Sequence, residues 1–303
     1  MSYRVVFEFS PLYELVNSLE LFLFKKSIKN ADLGPEWIKA VQEKLDAQNL
    51  DLGNPKDLPC FQYLNLLIWQ SPEKENVEAF IKWLHSLEPG SIYEKLFSYV
   101  SESLPSNLSA IRDRYVDLIK KWNDIYFSKM DTEILVLLRE SVSKWDGKII
   151  ARDSIAFVEQ VSGGLRIEAY EGLEQVIMTP TFHISPLVSI SKFKNIAHIL
   201  YPVDALVSDP HQPSKKLARI TKALADENRL RIIKLLKEGP KTFTEILKHF
   251  DVSKSTVHHH VMLLRTAGLI SAYHTNECCS ETFVYRPNGM KELTEQFNEY
   301  IEK

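Results

Sequence analysis

The chain has little of what secretion, membrane insertion and most enzyme chemistry require. Only three cysteines occur in 303 residues, so a disulfide scaffold is excluded and a reducing compartment is expected. The longest apolar runs, such as LFLF (21–24) and ILVLL (134–138), fall far short of the roughly 20 residues that a spanning helix needs. The opening MSYRVVFEFSPLYEL is interrupted by Arg4, Glu8 and Glu14, which does not read as a secretory signal; a cytoplasmic protein is expected. There is no G-x-x-x-x-G-K-[ST], no G-x-G-x-x-G after a strand, no H-E-x-x-H and no G-x-S-x-G. Phosphate cradles, zinc hydrolysis and a nucleophile elbow therefore lack their usual supports. His85, His183 and His198 stand isolated, no acid, base or nucleophile is nominated, and no enzyme and no cofactor are expected.

A large net charge is missing too, the formal value being -3, but the charge is unevenly placed. From residue 215 to 270 there are twelve Lys or Arg against five Asp or Glu, so a basic module sits on an acidic body. That asymmetry suits a partner made of phosphates.

What is present lies mostly in that module. In DVSKSTVHHHVMLLRTAGLI (251–270), Ser253 can cap a helix beginning near Lys254. Val257, Val261 and Leu264 recur at steps of four and three and form one inward stripe. Ser255 and His259 then point the opposite way, with His258 and Met262 beside them. Gly268 accepts the left-handed conformation that ends the helix. Upstream, ENRLRIIKLLKEG (227–239) is a short amphipathic helix, and TFTEILKHF (242–250) is a second, with Thr242 as its cap and Phe243, Ile246, Leu247 and Phe250 facing inward. Two short helices joined through DVS make a helix-turn-helix. Downstream, LISAYHT (269–275) and ETFVYRP (281–287) alternate apolar and polar residues around a polar tip at 276–280, as a two-stranded wing would.

With LADENRLRIIKLL, S-x-S-T-V-x-H-H and A-G-L-I on the page, residues 215–287 resemble the ArsR family of winged-helix bacterial transcription regulators. The resemblance implies a homodimeric repressor of a pseudo-palindromic operator in double-stranded DNA, released or engaged by an effector. It implies that Lys254, Ser255, Thr256, His258 and His259 face DNA. Thr242 and Ser253 at the helix starts and His274 and Asn276 in the wing complete the candidate set. His260 corresponds to the family's half-buried second histidine.

Metal-sensing members place cysteines in the helix before the recognition helix, or Asp and His in the last helix. TFTEILKHF has no cysteine and GMKELTEQFNEYIEK no histidine, so no metal site is expected there. Cys278 and Cys279 beside His274 leave a thiol or metal role open against the simpler reading of two reduced thiols; Cys60 reads as core. His258, His259 and His260 point about 100° apart and cannot hold one ion together. Imidazoles facing phosphate would favour their charged form, so DNA affinity is expected to rise as pH falls through neutrality.

The rest divides at a polar, proline-containing linker, 208–214, giving a domain at 1–207 and a winged-helix domain at 215–303. The fold class expected is mainly α: a helical N-terminal domain with a small sheet near its end, then the winged helix-turn-helix. The upstream region holds all five tryptophans, 37, 69, 83, 122 and 145. Gly34-Pro35 and Ser71-Pro72 are expected to open helices, Ser91 with Glu94 to form a capping box, and Asp131 to cap another. Ile111, Tyr115, Leu118, Trp122 and Ile125 stripe a longer helix. After a break at Ser162-Gly163-Gly164, about three strands are expected in LRIEAY, EQVIMTPTFHI and KNIAHILYPV. FSPLYELVNSL and TPTFHISP faintly resemble a helical domain that precedes the DNA-binding module in longer regulators of the family. Trp69, Trp83, Trp122 and Tyr126 either line a pocket for an apolar effector or are plain core. The upstream domain is thus a small-molecule sensor or, alternatively, an oligomerisation or docking module.

Overall fold

The apolar stripe from Ile111 to Ile125 winds as α6 (Leu108–Ile125), with Tyr115, Leu118, Ile119, Trp122 and Ile125 buried. A computed structural model describes residues 3–25, 28–54, 61–146, 148, 153–205, 209, 211–274 and 281–302. Around α6 pack α1 (Pro11–Phe24), α2 (Gly34–Ala47), α3 (Gln62–Trp69), α4 (Val77–Ser86) and α5 (Pro89–Phe97), and α7 (Thr132–Asp146) follows. Ser10 caps α1 by accepting from the Leu12 amide at 3.1 Å. Pro35 stands in the first turn of α2 as expected, and Asp131 accepts from the Glu133 amide at 2.9 Å at the start of α7.

Two helix starts differ from expectation. Ser71-Pro72 opens no helix: the Ser71 hydroxyl accepts from the Glu73 amide at 3.0 Å in a local turn, and α4 begins only after Asn76, whose side chain takes the Ala79 amide. Ser91 caps nothing, because Pro89 sets the first turn of α5 and Glu88 is its cap position, leaving Ser91 inside the helix. Proline's fixed φ outweighs the serine's hydrogen-bonding preference.

The sheet of this part is larger than the three late strands expected. β3 (Gln175–Thr181) and β5 (Ile196–Pro202) pair in parallel, β4 (Ser189–Lys192) adds antiparallel to β5, and β1 (Arg4–Phe7) completes the order β1-β3-β5-β4. Six of seven residues of both β3 and β5 are buried, the near-continuous apolar texture of strands covered on both faces. β1 and the half-exposed β4 are short, four residues each, and period-2 patterning over such a length is weak.

The chain forms two compact units, and they are interleaved. One comprises Val6–Lys148 with Gly172–Val203; the other comprises Met1–Val5, Ile149–Glu171 and Asp204–Lys303. The chain passes between the units at 5–6, 148–149, 171–172 and 203–204, the last of these a few residues before the 208–214 linker expected from the sequence. The second unit holds α8 (Ser154–Ser162), β2 (Leu165–Ile167), α9 (Lys215–Leu224), α10 (Glu227–Lys237), β6 (Lys241–Thr242), α11 (Phe243–Leu247), α12 (Lys254–Thr266), β7 (Ile270–His274), β8 (Thr282–Tyr285) and α13 (Pro287–Glu302). Its sheet has the order β2-β7-β8-β6, so the first strand of the predicted late sheet belongs to the wing. Cys60, Cys278 and Cys279 lie outside the described residues.

Inside the helical unit, two of the three isolated histidines of the sequence, His183 and His198, prove to be hydrogen-bonded core. Glu14 accepts the Phe182 amide (3.1 Å), the His183 amide (2.8 Å) and His183 Nδ1. His183 Nε2 meets the Tyr126 hydroxyl at 2.7 Å, which in turn accepts from Trp37 Nε1 at 2.9 Å. Burial would push the Glu14 carboxyl up, but the charge and hydrogen bonds of His183 outweigh it and hold the carboxyl below its ordinary range. His198 bonds Thr179 at 2.9 Å, and burial pushes its imidazole down to about 4. His85 is exposed. Of the four candidate pocket residues, Trp122 is fully buried, while Trp69, Trp83 and Tyr126 pack against the same core.

Candidate nucleic-acid interface

Thr242 begins the recognition unit. Its hydroxyl accepts from the Glu245 amide at 3.3 Å, while the Glu245 carboxylate accepts from the Thr242 amide at 2.7 Å. This reciprocal capping box starts α11 immediately after the two-residue strand β6. Ile246 and Phe250 bury in the module core, with Phe243 and Leu247 packed at its margin.

Ser253 then caps α12, its oxygen accepting from the Thr256 amide at 3.2 Å and lying 2.8 Å from both the Ser255 and the Thr256 hydroxyls. Val257, Val261 and Leu264 are buried on the inner side. The helical period leaves Lys254, Ser255, His258 and His259 exposed and Thr256 half-exposed. No acidic residue stands in the first turn of α12, so the amide dipoles of that end and Lys254 present positive potential together. His258 is partly seated against Phe243, edge to face with the ring centres 6.0 Å apart.

His260 is apart from its neighbours: it is buried, with Nδ1 3.8 Å from Asp226. Burial lowers its imidazole below the ordinary histidine range, with Asp226 pulling the other way. Asp226 itself caps α10 by accepting the Arg229 amide at 3.0 Å, and the buried Arg229 donates to the carbonyls of Ala223 (2.7 Å) and Lys222 (2.9 Å) at the end of α9. Asp226 and Arg229 lie within LADENRLRIIKLL, but a cap and a buried arginine look like surface charges until the preceding helix end is known.

The wing follows as expected, β7 pairing antiparallel with β8 from Ile270↔Tyr285 to Tyr273↔Thr282, and β6 with β8. Arg265, near the end of α12, donates to both oxygens of Glu281 at 2.9 Å, which ties the recognition helix to the base of β8. His274 is the last residue of β7, in register with Ile167 of β2. Asn276 lies outside the described residues. The structure thus leaves Lys254, Ser255, His258 and His259 exposed on α12 and Thr256 half-exposed, with Thr242 and Ser253 at the helix starts. Among the described residues no group of His, Cys, Asp and Glu is arranged to hold a metal ion.

Comparison with known proteins reaches the same module. Residues 226–272 match the family described as bacterial regulatory protein, arsR family. The transcriptional repressor SdpR of Bacillus subtilis (strain 168) is 32% identical over 79 residues, which are 26% of this chain and 82% of the repressor. The arsenical resistance operon repressor of Staphylococcus xylosus is 32% identical over 90 residues, 29% of this chain and 74% of that protein. A crystallised ArsR family transcriptional regulator is 25% identical over 29% of this chain and 94% of its own, with a TM-score of 0.26. The family match and the two repressors that are 32% identical concern the last third of the chain, where the capped recognition helix and the wing lie, and on them the protein belongs to the arsR family of bacterial regulatory proteins.

Proposed function

We propose that the protein is a homodimeric, sequence-specific repressor that binds a pseudo-palindromic operator, and that its helical unit governs that binding. The observation that carries this reading is the outward face of α12, where Lys254, Ser255, His258 and His259 are exposed around a buried Val257-Val261-Leu264 seam. Its donors suit base edges and phosphates in a major groove. Ser253 opens α12, whose first turn carries no acidic residue, so that this amino terminus suits a phosphate.

The dimer is supported by α13. Met290, Phe297 and Ile301 are 37%, 50% and 65% exposed, and their spacing of seven and four places them on one helical stripe. Apolar residues left in a row on a helix surface ask for a partner. A dimer would set two recognition helices about one helical turn of DNA apart, roughly 10 base pairs.

For the helical unit, sensing of a small molecule is one reading and docking of protomers or another protein is the second. The packing favours the second reading, because the aromatic candidates Trp122 and Tyr126 are joined with Trp37 and His183 in a hydrogen-bonded core. Among the described residues, a cavity bounded by Tyr63, Leu67, Ile92, Leu96, Leu108 and Tyr115 has a volume of about 10 Å³, the space of about one water.

The test is titration of the full chain against a labelled duplex from its own upstream region and against random DNA, at two salt concentrations. Selective binding by a species of twice the chain mass supports the reading. Equal affinity for both duplexes overturns it. A metabolite panel that shifts operator affinity would return the helical unit to sensing.

A further inference from the structure

The wing of this protein has a third strand on its outer side. β2 pairs in parallel with β7, Leu165 opposite Ala272, Arg166 opposite Tyr273 and Ile167 opposite His274. In a bare two-stranded wing the outer edge of the first strand would be unpaired; here the Ala272 amide donates to the Gly164 carbonyl at 2.8 Å. Gly164 is required for this approach, since a Cβ there would lie 2.8 Å from the Ile270 carbonyl oxygen, and its φ of +134° disfavours any side chain.

Side chains close the grip. Glu159 of α8 accepts from the Ser271 hydroxyl with one carboxylate oxygen and from Arg166 Nη1 at 3.2 Å with the other. The Arg166 guanidinium in turn covers the Tyr273 ring, 4.7 Å from its centre. Ser271 and Tyr273 are alternate residues of β7, so a carboxylate and a guanidinium hold the strand at two successive points. A planar guanidinium suits both tasks at once, bonding a carboxylate in its plane while stacking through its face. Tyr3 binds the same element, its hydroxyl donating to the Ile167 carbonyl at 2.9 Å and its own carbonyl accepting from Ser154 at 2.9 Å.

From this geometry we infer that Glu159 and Arg166 are positioning residues for DNA binding: they fix β7, and with it the wing, at the angle the duplex requires. The inference rests on the repressor reading above. The clamp has a further property in the chain itself, because α8 and β2 are joined covalently to the helical unit at both ends, at 148–149 and at 171–172.

The test uses the full chain, wild type beside Arg166→Ala, Arg166→Lys and Glu159→Gln, on a duplex selected by the wild-type protein from a random library. Phosphate-ethylation interference, single base-pair changes and thermal melting are measured together. Arg166→Ala is expected to weaken the selected duplex about tenfold, with interference lost at the outer phosphates reached by the wing. The penalties for changed base pairs under the recognition helix stay as in wild type, and the protein stays folded at the assay temperature, since Glu159 keeps the Ser271 hydroxyl. Glu159→Gln acts in the same direction, and Arg166→Lys, which keeps the charge without the planar stack, recovers only part of the affinity. Unchanged affinity in Arg166→Ala overturns the inference, as does a uniform loss at every position that follows a lowered melting temperature. Absence of selection by the wild-type protein overturns the repressor reading itself, and this inference with it.

Discussion

Arg286 donates through Nη1 to the Gly268 carbonyl at 2.9 Å, closing the turn that follows the recognition helix. The arginine is almost wholly buried, and its Nη2 reaches Glu292 of α13 at 2.5 Å. Burial would raise the Glu292 carboxyl, but Arg286 and Lys216 together hold it below its ordinary range. One guanidinium thus links the end of α12, the exit of β8 and the start of α13. Arg286→Ala leaves the Glu292 carboxylate half-buried without its nearer cation and the Gly268 carbonyl without its donor. A loss of about 3 kcal/mol is expected, the range for removing one member of a buried pair. All five tryptophans lie in the helical unit, so the winged-helix unit is followed by circular dichroism during urea unfolding. A variant as stable as wild type would show the linkage to be idle.

Much of the winged helix was legible because its signals are local. Ser253, Thr242 and Gly268 act within a few residues of themselves, and the stripe of Val257, Val261 and Leu264 needs only the helical period. Arg286, Arg229 and Glu159 were not legible, since each owes its role to a carbonyl or hydroxyl that is distant in sequence or sits at a helix end the sequence does not mark. β2 is the sharpest case: LRI is too short for a pattern to say which sheet it joins, and its partner β7 lies more than a hundred residues on. Gly163-Gly164 reads as a turn, and Gly163 does end α8, but the close approach of Gly164 to β7 depends on that distant strand. In the helical unit, proline decided the start of α5 against a serine whose spacing mimics a capping box.

The helical unit should lose stability on mild acidification because of His198. Its imidazole is buried, bonded to Thr179 and held down to about 4, against 6.5 for a free histidine. The folded state therefore keeps His198 neutral while the unfolded state takes up a proton below about pH 6.5. Stability is fully present above that pH and falls as pH drops from 6.5 towards 4, by about 3 kcal/mol at 1.36 kcal/mol per pKa unit. Glu14 has the other acid-side signature: its lowered carboxyl contributes above its unfolded value of 4.5 and loses that contribution only as pH falls below it. Tryptophan fluorescence during urea unfolding at pH 7 and pH 5 checks the window. His198→Gln should be less stable at pH 7 but nearly flat between the two pH values; an unchanged slope would assign the acid sensitivity elsewhere.

Tyr126 stands between two buried donors and acceptors, taking Trp37 Nε1 at 2.9 Å and meeting His183 Nε2 at 2.7 Å. Burial, partly opposed by the Trp37 hydrogen bond and helped by the nearby Glu14 charge, pushes its hydroxyl up to about 12, so it remains protonated throughout the working range. Tyr126→Phe preserves the ring contacts with Trp37 and Trp122 but leaves His183 Nε2 without that partner. The expected cost is about 2 kcal/mol, read by fluorescence-monitored unfolding. A neutral outcome would mean that the aromatic packing alone holds α2 and α6 to the His183 turn.

Under the repressor reading, the exposed face of α12 divides into residues that specify and residues that attract. Ser255 and His259 lie opposite the buried seam, where base edges would be met, and Lys254 stands at the amino end, where a phosphate would sit. Ser255→Ala or His259→Ala should therefore relax base preference by about 1–3 kcal/mol at particular positions, with little change on random DNA. Lys254→Ala should weaken every sequence alike and reduce the slope of log affinity against log salt by about 1, because one phosphate contact and its released counterion are gone. Ser255 shares a hydrogen bond with Ser253 at 2.8 Å, but the cap is made by the Ser253 oxygen and survives the loss of its neighbour. Helicity and melting temperature should accordingly stay as in wild type for Ser255→Ala. Binding isotherms of the three variants on selected and random duplexes at several salt concentrations separate the roles. Equal losses on both duplexes from all three changes would reduce α12 to an electrostatic contact and remove the basis for assigning sequence readout to this face.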